Sequence, residues 1–229
     1  VIGAGAWGTA LAQCLANADR EVILWARESD VVEEINTKHE NSTFMPGVAL
    51  NPKLKATESL HDTADSDIIL LVTPAQFVRH TLEALKGDMA AGKPVVICSK
   101  GIELDTGQLM TQVAQQEVPN ATIAILTGPT FASEVGRGLP CAVTVAATDK
   151  DVAQEIREMI GNRVLRPYIT DDLLGAQIGG AVKNVIAIAC GVISGRGLGE
   201  SARAGLLTRG LAEMGRLATA MGAKKETLM

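Results

Sequence analysis

Short continuous apolar runs alternate with amphipathic stretches along the first three quarters of the chain. Val1-Ile2, Val22–Trp25, Ile68–Val72, Val95–Cys98, Ile123–Leu126, Ala142–Ala146 and Val164–Tyr168 have strand character and are rich in Val, Ile and Leu. They lack the in–out alternation of half-exposed strands, which marks strands covered on both faces, as in a mostly parallel sheet. Between them, helical spacing predicts Trp7–Ala18, Asp30–His39, Gln76–Lys86, Gly107–Gln116, Phe131–Arg137 and Lys150–Ile160. The stretch 41–55 contains Pro46, Gly47 and Pro52 and reads as a loop. After Tyr168 the strand runs stop. Asp171–Ile193 and Ser201–Met221 read as two long helices joined by Gly195-Arg196-Gly197-Leu198-Gly199. The expected class is α/β, with one domain over 1–170 and the start of an all-helical C-terminal domain, truncated, over 171–229. The chain opens inside what reads as a strand and stops without a terminal signal, so it is expected to be a fragment.

The turn Gly3-Ala4-Gly5-Ala6-Trp7-Gly8 lies between the first strand and the first helix. In this setting the first glycine permits a tight turn, the second lets a pyrophosphate approach the backbone, and the third lets helix and strand pack closely. The helix N-terminus then offers amides and a favourable dipole to the phosphates. These features make the first domain a Rossmann-like, NAD(P)-binding domain with helices on both faces of its sheet. The second strand ends in Trp25-Ala26-Arg27-Glu28. An acidic residue there would select NAD, whereas Arg accommodates the 2′-phosphate of NADP. Arg27 therefore favours NADP, or use of both cofactors.

Composition narrows the partners. Hydrophobic residues make up 47% and charged residues 21%, as in an ordinary soluble domain. The net charge is −5 with no basic run, which argues against nucleic acid. Cys14, Cys98, Cys141 and Cys190 are far apart in apolar surroundings, and the three histidines do not cluster. That pattern fits free thiols in a reducing cytoplasm and no metal site. The stretch Ala176–Ile193 is apolar enough to suggest a membrane span, but a central lysine there costs about 2.5–3.5 kcal/mol to insert. A buried soluble helix is expected, with no membrane insertion.

Ligands of open α/β sheets bind beyond the carboxyl ends of the strands. Those ends carry Thr73-Pro74, Ser99-Lys100-Gly101 and Thr127-Gly128-Pro129-Thr130, each pairing polar groups with a bend-forming residue. Lys100 would direct its ammonium at a carbonyl or anionic group in the crevice. Lys183 is the sole charged residue between Ala176 and Ile193, with Gly179, Gly180, Ile186 and Ala187 on its helical face. Buried there it would lower its pKa, find a partner or snorkel, and a lysine of depressed pKa is suited to acid/base work on a carbonyl–alcohol pair. Asn184 could orient substrate. Arg203, Arg209 and Arg216 read as a solvated helix face.

Several longer motifs resemble bacterial NAD(P)-dependent glycerol-3-phosphate dehydrogenase. They are Gly3-Ala4-Gly5-Ala6-Trp7-Gly8-Thr9-Ala10, Trp25-Ala26-Arg27, Ser99-Lys100-Gly101, Gly128-Pro129-Thr130-Phe131-Ala132, Gly179-Gly180-Ala181-Val182-Lys183-Asn184 and Thr208-Arg209-Gly210-Leu211-Ala212-Glu213-Met214. The resemblance runs in order over nearly the whole chain. It implies interconversion of dihydroxyacetone phosphate and sn-glycerol 3-phosphate for glycerophospholipid synthesis. It implies Lys183 as proton donor and acceptor, and Lys100, Gly128, Thr130 and Lys183 as substrate contacts. It implies Ala6, Trp7, Arg27, Lys100 and Ala132 as NADPH contacts beside Gly3, Gly5 and Gly8. It leaves room for a homodimer, although no surface stripe marks one. In the family an Asp and a Ser-Arg-Asn segment beyond the position of Met229 also grip substrate and cofactor, so the fragment is expected to bind cofactor and turn over poorly or not at all. Two other readings stand beside this one. A hydroxyacid-type dehydrogenase would place its partner Asn about one turn beyond the lysine, and a cofactor-binding module would lack turnover.

Overall fold

The computed structural model describes residues 1–228. Val1 and Ile2 occupy the middle of the sheet. Ile2 donates its amide to Leu70 at 2.8 Å and accepts from Val72 at 2.8 Å, while Trp25 donates to Val1 at 2.9 Å and Gly3 to Trp25 at 3.0 Å. They stitch β1 (Ile23–Trp25) to β3 (Ile69–Leu71). Beyond β1 lies β2 (Lys55–Thr57). Beyond β3 lie β4 (Pro94–Ile97), β5 (Thr122–Thr127), β6 (Cys141–Ala146) and β7 (Leu165–Thr170), in that order. Pairing is parallel from β2 to β5, β6 runs antiparallel to β5, and β7 is parallel to β6. The order reverses at Val1-Ile2, the switch point at which α/β sheets bind ligands.

Both faces of the sheet are covered, as the unalternating runs require. Leu70, Val96, Ala124 and Leu126 face one core with α1 (Ala6–Ala16), α2 (Ser29–Lys38), α5 (Ala132–Gly136) and α6 (Lys150–Ile160). Ile69, Leu71, Val95, Ile97, Ile123 and Ile125 face the other with α3 (Val78–Leu85) and α4 (Met110–Glu117). Each strand thus divides its apolar residues between two cores.

Two expectations need correction. The stretch 41–55 was expected to be only a loop, but its last residue begins β2. Lys55, Ala56 and Thr57 carry no apolar run because an edge strand needs none. The rest of that stretch is irregular yet firmly held. Asn41 is fully buried, donates to the Ala4 carbonyl at 3.0 Å and to the Thr9 hydroxyl at 2.9 Å, and accepts from the Phe44 amide at 3.1 Å. It buttresses the glycine turn from outside.

The second correction concerns α7 (Leu173–Gly195), which was expected to be buried. Its buried residues are confined to the Gly175–Gly180 stretch, which docks on the sheet. Farther along, α8 (Glu200–Ala220) packs on one side, with Gly210 so close to Ile186 that a Cβ at Gly210 would lie 2.7 Å from its Cδ1. Val185, Ile188 and Val192 on the opposite side are exposed. Among the described residues, α7 is the one helix long and apolar enough to cross a membrane. Its start is fixed by Asp172, which accepts from the amides of Gly175 and Lys224, each at 2.9 Å, and from the Thr227 hydroxyl at 2.5 Å. Gln177 ties the next turn to α4 through the amide and hydroxyl of Thr111, both at 2.9 Å.

The glycine turn supplies a stability test. A Cβ on Gly8 would lie 1.8 Å from the Gly3 carbonyl oxygen. Gly8→Ala is expected to lower the unfolding free energy by at least about 1–3 kcal/mol, the usual cost of overpacking, as measured by urea unfolding. Gly5→Ala, where a Cβ meets nothing within 4 Å, is expected to change it by far less.

Candidate active site

Two arrangements of residues meet at the carboxyl ends of the strands. The first is the turn. Gly3 adopts φ +112°, and a Cβ there would press on Val72 and Thr73. Gly5 caps α1 without any side-chain hydrogen bond, and the first turn of the helix carries no acidic residue. Gly5 and Ala6 are exposed. An uncapped helix N-terminus beneath open space is a fitting seat for a pyrophosphate. The residues present therefore fit the dinucleotide that the turn implies. The buried indole N–H of Trp7 has no hydrogen-bond partner. Ala132 opens α5, which packs on α1. Arg27 stands exposed at the end of β1, with its guanidinium 3.0 Å from Glu28.

The second arrangement is a crevice of about 830 Å³ between the sheet and α7. Lys100, Gly128, Thr130, Lys183 and Asn184 all line it. The four residues expected to touch substrate thus share one cavity. Gly179 and Gly180 form part of its wall. A Cβ at Gly180 would lie 3.6 Å from Lys100 Cγ and 3.4 Å from the Thr127 hydroxyl, so the Lys100 stem crosses the helix where the helix is thinnest. Gly128 has a packing role as well, because a Cβ there would lie 2.9 Å from the Ala142 carbonyl of β6. The crevice adjoins the turn: the Ser99 hydroxyl donates to the Thr73 carbonyl at 2.5 Å, and Gly3 abuts the Thr73 amide.

The buried lysine is the other one. Lys183 was expected to be buried on an apolar face, but it is exposed, because α7 leaves the sheet after Gly180 and lets its side chain reach open crevice. Lys100 is half-buried instead. Burial holds its ammonium below the ordinary lysine range, and the charge of Lys183 acts in the same direction. Sequence reasoning missed the far wall, where Thr144, Tyr168 and Thr170 come from β6 and β7 and Lys224, Glu226 and Thr227 from the segment after α8. Asp172 draws that last segment in, and a bridge of this span leaves no local periodic trace. Arg203 pairs with Glu200 at 3.2 Å, and Arg209 and Arg216 pair with Glu213 at 3.0 and 2.6 Å, as a solvated face should.

Comparison with known proteins points the same way. Residues 1–153 match the model of the NAD-dependent glycerol-3-phosphate dehydrogenase N-terminus, and residues 172–229 match that of its C-terminus. The chain belongs to the NAD-dependent glycerol-3-phosphate dehydrogenase family. It is 56% identical over 229 residues to glycerol-3-phosphate dehydrogenase [NAD(P)+] of Parvibaculum lavamentivorans, covering all of this chain and 69% of that protein. It is 58% identical over 229 residues to the protein of that name in Paramagnetospirillum magneticum, covering 83% of it. The solved glycerol-3-phosphate dehydrogenase of Coxiella burnetii superposes with a TM-score of 0.94 at 36% identity, over 99% of this chain and 70% of that one. Membership in this family displaces the hydroxyacid-type reading.

The lowered pKa of Lys100 predicts a pH effect. Between its folded value and the ordinary 10.5, the unfolded chain holds a proton that the folded chain has released, so stability rises with pH through that window. Below it, the full cost of burying the charge is present. Lys100→Met is therefore expected to raise the thermal midpoint near neutral pH, and the gain should shrink as pH approaches the ordinary lysine value. Thermal scans across pH check this.

Proposed function

We propose that the chain interconverts dihydroxyacetone phosphate and sn-glycerol 3-phosphate with NAD(P)H, running mainly as reduction to supply glycerophospholipid synthesis. The observation that carries this reading is the convergence of Lys100 and Lys183 on one crevice that adjoins an uncapped, glycine-lined helix N-terminus. Nicotinamide, when bound, supplies the hydride. In the proposed chemistry Lys183, exposed within the crevice, gives a proton to the oxygen of the ketone as that oxygen gains charge. Lys100 faces the same developing charge from partial burial, where a charge interaction is worth more than in water. In the reverse direction Lys183 takes the proton from the alcohol. Gly128 and Thr130 shape the wall against which the small phosphate substrate lies. Gly3, Gly5, Ala6, Trp7, Gly8 and Ala132 surround the dinucleotide. The docking of Gly175–Gly180 on the sheet supports a soluble role for α7 and no membrane insertion.

Arg27 and Glu28 set the cofactor choice in this reading. Their exposed pair is weak and readily exchanged, so Arg27 can turn to a 2′-phosphate while Glu28 can accept from a ribose hydroxyl. This suits use of both cofactors. Arg27→Ala is expected to lower kcat/KM for NADPH by about tenfold or more, the scale of one charge-assisted contact, and to leave NADH nearly unchanged. Steady-state assays with each cofactor measure it, and an equal loss with both would remove Arg27 from the choice.

Lys183→Ala is expected to reduce turnover of dihydroxyacetone phosphate by about 10²–10⁴-fold, the range for a lost general acid. Nucleotide binding, read by fluorescence quenching, should stay close to that of the parent. Turnover at the parent rate would exclude Lys183 as the proton donor.

A further inference from the structure

The segment that carries Lys100 is anchored at nearly every residue to the stretch from Thr73 to Arg79, which follows β3 and enters the first turn of α3. The Ser99 hydroxyl donates to the Thr73 carbonyl at 2.5 Å. Gly101 adopts φ +152°, and a Cβ there would lie 2.7 Å from the Cβ of Ala75. Gln76 grips the next turn twice. Its Nε2 donates to the Ile102 carbonyl at 2.8 Å, and its Oε1 accepts from the Leu104 amide at 3.0 Å. Arg79 completes the series with a two-pronged contact, Nε and Nη2 donating to the two oxygens of Glu103, each at 2.9 Å. Nη1 donates to Glu117 at 2.5 Å, and Nη2 also lies 3.1 Å from the side-chain oxygens of Gln108 and Gln116. Between Ser99 and Leu104, Lys100 is the residue that sends its side chain elsewhere, across Gly180 into the crevice.

The Arg79–Glu103 fork differs from an ordinary surface pair. Its side chains are 31% and 12% exposed, and the geometry is bidentate. Hydrogen bonds from Arg79 and then Thr106 hold the Glu103 carboxyl well below the ordinary carboxylate range, at about 2, so the fork is charged near neutral pH. The physical need for it lies at Lys100. A half-buried ammonium beside a second ammonium is driven toward water by desolvation and by repulsion. Its flexible stem yields readily, and the loop backbone would follow unless held.

We propose that Arg79 and Gln76 are positioning residues for Lys100, clamping residues 101–104 so that its ammonium stays in the crevice opposite Lys183. The proposal rests on the reading of Lys100 as a substrate-contacting lysine.

The test compares Arg79→Met, Arg79→Lys and Gln76→Ala, each alone and combined with Lys100→Met. One readout is the titration of ¹³C-labelled lysine ε-carbons by NMR without cofactor, with Lys100 assigned by its loss in Lys100→Met. The other is kcat and KM for dihydroxyacetone phosphate. Arg79→Met should move the Lys100 titration up toward the ordinary lysine range and lower kcat/KM by about 10–100-fold, the scale of a 1 Å misplacement. Arg79→Lys should restore little, since an ammonium cannot form the fork. Gln76→Ala should shift both readouts in the same direction by less, with the fold intact. In the Lys100→Met background neither change should cost further activity. A fall in thermal midpoint with no movement of the Lys100 titration overturns the proposal, as does an equal loss of activity with and without Lys100. An unimpaired Lys100→Met enzyme is a separate outcome: it removes the functional reading of Lys100, and the clamp's purpose with it.

Discussion

No side chain fits between the Gly3 carbonyl and the α-carbon of Gly8. The rest of the molecule is organised around that contact. It lets α1 start directly over the Val1-Ile2 pair, which brings the helix N-terminus to the point where strand order reverses. There the helix needs no side-chain cap and has none, so its first amides face the crevice side of the sheet. Asn41 and Thr9 hold the turn by bonding to the Ala4 carbonyl. The proposed dinucleotide seat is thus built mainly from backbone, and side chains serve to fix that backbone.

The second half of the site depends on a similar economy of bulk. α7 meets the sheet through Gly175–Gly180, and Gly180 leaves room for the Lys100 stem and the Thr127 hydroxyl. A Cβ there would already be in van der Waals contact with both, so a side chain extending beyond Cβ toward them would press on the Lys100 stem. The different settings of the two lysines follow from where the helix parts from the sheet. Lys100 sits in the closed angle and bears the cost of burial, while Lys183 sits one turn beyond, exposed in the open crevice.

Much of this was legible in the residues. The alternating apolar runs reported a sheet covered on both faces, because each strand divides its side chains between two cores. The glycine spacing marked the tight turn between strand and helix, because its geometry admits no other residue at Gly8. Of the strand-end groups, Lys100 and Thr127–Thr130 share the crevice, because parallel strands deliver their carboxyl ends to one side, whereas Thr73 is buried against Gly3 and lies outside its lining. What escaped was set by partners distant in the chain. β2 is too polar and too short to declare itself. The burial of Lys100 and the exposure of Lys183 depend on where α7 leaves the sheet, which the composition of a uniformly apolar helix does not encode. Asp172, Lys224 and Thr227 are joined across more than fifty residues, and Arg79 reaches Glu103 from the neighbouring crossover.

The central claim is that two ammonium groups converge on the oxygen of a bound ketone. Difference infrared spectroscopy of carbonyl-¹³C dihydroxyacetone phosphate, bound with oxidised cofactor, reads the polarisation of that carbonyl directly. The account predicts a shift of the carbonyl band to lower frequency than in water, partly reversed when either lysine is replaced by methionine. A bound carbonyl absorbing at its solution frequency, indifferent to both replacements, would contradict it.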